Sequence, residues 1–186
     1  MSTPSSDTVL QETQHWLVQA VIGLNLCPFA KAVHVKNGIR YVVSAATEPE
    51  ALLKELAHEL LLLQRSDPDE VETTLLIHPQ VLTDFLDFND FLAAADGLVE
   101  ELELDGELQV ASFHPDYQFD GTEPGDISNF SNRSPYPTLH LLREESIARA
   151  VEAMPDTDRI FETNIATLEK LGLAGWLALG LRGPTP

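Results

Sequence analysis

Cys27 is the only thiol of the chain, and it stands in the run Leu-Asn-Leu-Cys-Pro-Phe at 24–29. The thiolate is the form that attacks carbon or binds metal, and a free thiol titrates at about 8.5. Pro28 predicts the start of a short helix, with Cys27 at its N-cap and Pro28 at its first position. There, unpaired N–H groups and the positive end of the helix dipole would favour thiolate. The competing reading is a small buried apolar residue, in keeping with Leu24, Leu26 and Phe29 around it.

A second group of candidates lies at 113–144, FHPDYQFDGTEPGDISNFSNRSPYPTLHLLRE. His114 ends an apolar run and His140 sits inside another. Between them, the connection from His114 to Pro137 covers 24 residues, where loops usually have about 4 to 6. Such a loop is either disordered or functional. Phe113, Tyr117, Phe119, Phe130 and Tyr136 supply aromatic anchors, and Pro115, Pro135 and Pro137 reduce the entropy lost on ordering. Arg133 is conspicuous: from Arg65 to Arg133 no Lys or Arg intervenes, while 17 Asp and Glu occur. Set among Asn129, Asn132, Ser134 and Tyr117, its guanidinium could fork two N–H bonds to a carboxylate or phosphate of a ligand. Equally, it could pair with Asp120, Glu123 or Asp126 and hold the loop shut.

Three functions follow from these residues. In the first, an enzyme acts on a small anionic substrate. Cys27 is nucleophile, His114 or His140 is base, Asp116, Asp126 or Asn132 orients the imidazole, and Arg133 clamps the anion. In the second, Cys27, His78, His114 and His140, with Asp116, ligate zinc or iron, although no tight CxxC or HExxH spacing occurs. In the third, the chain only binds an anionic metabolite or a partner. No cofactor is indicated. G-x-S-x-G and the P-loop are both absent, which leaves serine-hydrolase and P-loop nucleotide chemistry without support.

Positioning these groups requires a folded domain. The 186 residues are 44% apolar, enough for one core. With 11 Lys+Arg against 30 Asp+Glu, the net charge is −19. That argues against nucleic acid and anionic membrane as partners, since both need a basic footprint. No run is long and apolar enough for a membrane helix. The first residues lack a secretory pattern, and a lone cysteine cannot form an internal disulfide, so a reducing cytoplasm is expected. Oligomeric state is left open.

Periodicity predicts a helix from about Asp7 to Gly23 and strands at 39–45, 71–77, 107–113 and 138–142. A capping box at Thr47–Glu50 predicts a helix to Arg65. Further helices are expected from Gln80 to near Gly97, at 144–153, and at 157–171 closed by Gly172. The order β-α-β-α-β, loop, β-α-α implies a single α/β domain over residues 7–180, with about four strands in a mixed sheet covered by helices. A disordered leader (1–6) and a frayed tail (181–186) flank it. A ferredoxin-like α+β layout is the main alternative. His78 and His114 each follow an apolar strand and precede proline, so parallel second and third strands would bring both to one sheet edge.

Two resemblances add to this reading. Cys27-Pro28-Phe29 resembles the active-site turn of glutaredoxin and of omega-type glutathione transferases, and Pro137-Thr138-Leu139 the proline–strand junction that faces such a cysteine. A helix rather than a strand is expected ahead of Cys27, so that fold is not carried over. GLNLCPFAK, TTLLIHP, DFLDFNDFL, QVASFHPDYQF and NRSPYPTLHLLRE together are similar to a bacterial family known as domain of unknown function 1415, across nearly the whole chain. The resemblance implies a small cytosolic protein and assigns no activity, ligand or catalytic residue.

Overall fold

The computed structural model describes residues 4–154 and 156–182. Most of the expected leader and tail therefore lies outside the described residues. At the described ends, Ser5 caps the first helix and Arg182 bonds to Glu12 and to the Tyr136 hydroxyl.

Helix α1 (Ser6–Trp16) begins where the Ser5 hydroxyl accepts the Thr8 N–H at 3.2 Å. It buries Val9, Thr13 and Trp16, a stripe one residue wide on one helical face. The chain then widens into a π-helical stretch, Leu17–Ile22, which buries Leu17, Ala20 and Val21. Helix α2 (Ala30–Val35) is short and has Phe29 as its N-cap. Strand β1 (Ile39–Val43) leads into α3 (Pro49–Arg65), which starts at a helix-compatible proline. Its cap is Glu48, whose side chain makes no capping bond, so the capping box expected at Thr47–Glu50 does not form.

After β2 (Thr73–Ile77), helix α4 (Phe85–Glu101) starts five residues later than expected. Leu82 adopts a left-handed conformation (φ 56°), and the Asp84 carboxylate caps the N–H groups of Leu86 and Asp87. Strand β3 (Leu108–Phe113), a 3-10 segment (Ile127–Asn132) and β4 (Thr138–Arg143) follow. The chain ends with α5 (Glu144–Ala153) and α6 (Ile160–Ala178). Gly172 takes non-helical angles (φ 65°, ψ 173°) and breaks the helix where a stop is expected, and a second helical segment then runs on to Ala178 and buries Trp176.

The four strands form one mixed sheet in the order β1-β2-β4-β3. Strands β1 and β2 are parallel neighbours joined through α3, while β4 runs antiparallel to both β2 and β3. The fold is therefore α/β, and the ferredoxin-like order of elements is not the one adopted. Strands β2 and β3 do run parallel to each other, with β4 between them.

Strand alternation divides the core. One face carries Val42, Leu76, Leu108, Val110, Leu139 and Leu141, packed against α3 and α4. The other carries Ile39, Tyr41, Leu75, Ile77 and Phe113, packed against α1, the π-helical stretch and α6. The first face is covered by two long regular helices. The second is covered by α1 and α6 over part of its area and by short or irregular elements over the rest, and there a cavity remains.

Candidate functional site

The cavity has a volume of about 590 Å³ and lies between the second sheet face and the α1–α2 and α5 segments. Ile39, Leu75, Ala111, Phe113, His140 and Leu142 form its floor. Trp16, Leu17, Val21, Cys27, Phe29 and Val33 wall one side, and Ile147 and Ala150 the other. Trp16 meets Phe113 edge-on at 5.1 Å between ring centroids. The lining is apolar apart from a few groups, the usual makeup of a small-molecule site.

His140 is the most informative of those groups. It alternates with Leu139 and Leu141, so its ring faces the cavity while theirs face the opposite core. Its Nε2 lies 2.7 Å from the Thr73 hydroxyl, which in turn lies 2.6 Å from the Leu141 carbonyl oxygen. A carbonyl can only accept, so the single hydroxyl proton goes to Leu141 and Nε2 must donate to Thr73. The imidazole is thereby fixed as its Nε2–H tautomer, with a lone pair on Nδ1. Among the described residues no protein group bonds Nδ1. It is also absent from the fully buried unpaired atoms, so it retains an open side. Burial pushes the His140 pKa down to about 4, which keeps the ring neutral at pH 7.

Cys27 lines the same cavity and is half-buried, packed with Trp16, Leu17, Val21 and Phe113. It does not sit at the expected N-cap. Helix α2 begins at Ala30, and Cys27 contributes only its carbonyl, which accepts from the Ala30 N–H at 3.2 Å. Cys27 lies two residues ahead of the Phe29 N-cap and α2 has only six residues, which leaves no developed helix dipole at the sulfur. Ahead of Cys27 stands a π-helical stretch rather than a strand, so the glutaredoxin-like turn has no matching context.

His114 is on the other side of the sheet. With His78 it belongs to the face covered by α4: His78 stacks on Phe88, and His114 packs against Phe85 and Phe88. Both are 0% exposed. The Nδ1–H of His78 donates to Val81 O at 2.9 Å, and the Nε2–H of His114 donates to Leu82 O at 3.2 Å. The Nδ1 of His114 accepts the Asp116 N–H at 3.0 Å. These two imidazoles pin the 79–84 turn that delays α4. They do reach one sheet edge, separated by β4. Burial lowers both pKa values, that of His78 to about 4.

The 114–137 connection is ordered by its own polar groups. Asn129, 0% exposed, accepts from Phe119 N–H and the Thr122 hydroxyl and donates to Glu123 O, each at 2.9 Å. Asn132 donates to Ser112 O and Ser134 to Tyr136 O. Arg133 donates to Tyr117 O at 3.1 Å and Pro124 O at 2.6 Å, with its guanidinium 4.4 Å above the Phe130 ring. It thus holds the loop shut, through backbone carbonyls rather than the carboxylates of Asp120, Glu123 or Asp126. Tyr117 packs between Phe85 and Phe119. None of Arg133, Asn129, Asn132, Ser134 or Tyr117 lines the cavity.

The expected composite of Cys27, His114, His140 and Arg133 is therefore divided. Cys27 and His140 share a cavity, His114 and His78 lie behind the sheet, and Arg133 braces the loop. The same division separates the four candidate metal ligands, and among the described residues no three His, Cys, Asp or Glu converge on one point. Sequence reasoning missed Thr73, Trp16 and the floor residue Ala111. Thr73 had a readable signal: it opens a β-run in phase with Leu75 and Ile77.

Acid should expose the cost of these neutral imidazoles. An unfolded histidine titrates at about 6.5, whereas folded His78 does so at about 4. Between those values the unfolded chain binds the extra proton, so stability falls as pH drops through this window. Urea denaturation of His78→Asn, which can retain the bond to Val81 O, should show a loss between pH 7 and pH 5 smaller than that of the unsubstituted protein by about 2 kcal/mol. Equal losses would show that His78 is not held neutral.

No curated protein and no solved structure matches the chain. No helix among the described residues is long and apolar enough to cross a membrane. A family model described as a protein of unknown function (DUF1415) matches residues 8–178, from the first turn of α1 to the end of α6. On that coverage the chain belongs to the DUF1415 family.

Proposed function

We propose that the cavity on the second sheet face is the functional site and that it takes a small, predominantly apolar molecule. The observation that carries this reading is a 590 Å³ apolar space with one neutral, tautomer-fixed imidazole in its floor. An apolar concavity open to solvent exposes surface that a bound apolar molecule would remove from water. The anionic substrate expected from Arg133 loses its anchor, since that guanidinium is already bonded to two carbonyls. The acidic surface, at net −19, keeps the protein soluble and leaves nucleic acid and anionic membranes as poor partners. A cytoplasmic location suits the single free thiol.

The floor residue Ala111 pairs with His140 across the β3–β4 ladder and sits beside the open space. Ala111→Leu should narrow it. Binding of the neutral dye N-phenyl-1-naphthylamine, read by fluorescence, should weaken at least tenfold, with stability unchanged or raised by up to about 1 kcal/mol. Undiminished dye binding by a folded variant, or no binding by the unsubstituted protein, would count against the site.

A thiol enzyme is the second reading, favoured by Cys27 and His140 lining the same cavity. In it the Cys27 proton passes to Nδ1 of His140, the sulfur lone pair bonds to a carbonyl carbon of the substrate, and the C=O π pair moves onto oxygen, which takes the proton back from the imidazolium. Alkylation of Cys27 by iodoacetamide at pH 7 should then slow at least tenfold in His140→Phe. An unchanged rate would leave binding alone.

A further inference from the structure

We infer that the ligand of this cavity is an uncharged molecule bearing an O–H or N–H group, and that it presents that proton to Nδ1 of His140. The inference rests on the cavity being the site and specifies what the site selects. Its basis is the polar inventory of the lining. Thr73 has spent its only proton on Leu141 O. Arg143 lines one end, but its NH2 group is drawn away to Leu63 O, Ser66 O and Val71 O at 2.8–3.1 Å, capping the C-terminal end of α3. Its charge serves that helix end, where backbone carbonyls accumulate negative potential. Glu72 is the one carboxylate in the lining. The Nε–H of Arg143 is buried without a partner, so an anion would meet a guanidinium engaged at the α3 end and one like charge, a poor return for its lost hydration.

Among the floor residues, Nδ1 of His140 is the one side-chain acceptor. It is rigidly placed, because the Thr73 bond fixes ring orientation and tautomer together. A neutral ring with a lone pair in an apolar pocket rewards a donor and penalises a ligand that brings a lone pair or a methyl group to the same point. The partner residues on the adjacent strands, Leu75 and Ala111, add no competing donor. Phe113 flanks the imidazole at 6.0 Å between centroids and Trp16 closes behind it, a wall suited to a planar ring.

Four naphthalenes of similar size, with 2-methoxynaphthalene as a fifth for the Thr73 variant, test the selectivity, with affinities measured by quenching of tryptophan fluorescence or by calorimetry. 2-Naphthol should bind about tenfold more tightly than 2-methylnaphthalene, and 2-naphthoate and 2-(aminomethyl)naphthalene should bind more weakly than either. His140→Phe should bring 2-naphthol down to the level of 2-methylnaphthalene. Thr73→Val, which frees the ring to change tautomer, should narrow the gap and improve binding of the pure acceptor 2-methoxynaphthalene. Equal affinities for naphthol and methylnaphthalene, or tightest binding by the carboxylate or the ammonium compound, would overturn the inference while leaving the cavity as a site. Failure of all four to bind the unsubstituted, folded protein would instead remove the cavity reading itself.

Discussion

A hydroxyl group has one proton, and in this protein the Thr73 proton is committed to the Leu141 carbonyl. Everything chemical about the cavity follows from that commitment. Nε2 of His140 has to carry a hydrogen in order to bond Thr73, so Nδ1 has to be bare. Desolvation then holds the ring neutral at physiological pH. The three groups come from adjacent antiparallel strands, β2 and β4, whose register also pairs Leu75 with His140. A slip of one residue would turn His140 into the leucine core between the sheet and α3 and α4. The site chemistry and the strand register are therefore the same constraint seen at two scales.

The division of the sheet into two unlike faces explains why one face can house a site. On the first face, α3 and α4 are long, regular helices of 17 residues each, and they bring Leu52, Leu56, Leu60, Phe88 and Ala95 into a continuous core. His78 and His114 are absorbed there as hydrogen-bonded braces of a turn. On the second face α1 and α6 cover one part, and over the cavity the covering pieces are a π-helical stretch, a six-residue helix and α5, which has no buried residue. Such elements cannot fill the space above four strands. Ala111, on the edge strand β3, widens it further. The long connection at 114–137 contributes rigidity instead, through Asn129 and Arg133 bonded to its own backbone.

Much of the scaffold was legible because it rests on local rules. The runs TTLLI and TLHLLR alternate or are continuously apolar in the way buried strands are, and their strand assignment needs no tertiary information. The placement of His140 opposite Leu139 and Leu141 is equally a matter of period two. What could not be read locally was which residues share a face across the sheet. Nothing in the sequence says that β4 inserts between β2 and β3, and that insertion decides that Thr73 meets His140. Cys27 was misplaced at an N-cap because Pro28 has the right chemistry to open a helix, while the chain spends two further residues before α2 begins. Arg133 was visible as an isolated cation, yet whether a guanidinium meets a ligand or a carbonyl depends on how a 24-residue loop curls. In the structure that curl brings Arg133 onto the carbonyls of Tyr117 and Pro124.

The protonation state of one imidazole carries the whole reading. A long-range proton–nitrogen NMR spectrum of protein labelled with nitrogen-15 in its histidines, taken at neutral pH and assigned with His140→Phe, reports it without any ligand. A neutral ring with hydrogen on Nε2 and a bare, pyridine-type Nδ1 is the expected state for His140, and it should become mobile between tautomers in Thr73→Val. Hydrogen on Nδ1, or an imidazolium at pH 7, would contradict the account, because the cavity floor would then offer a donor where an acceptor is required.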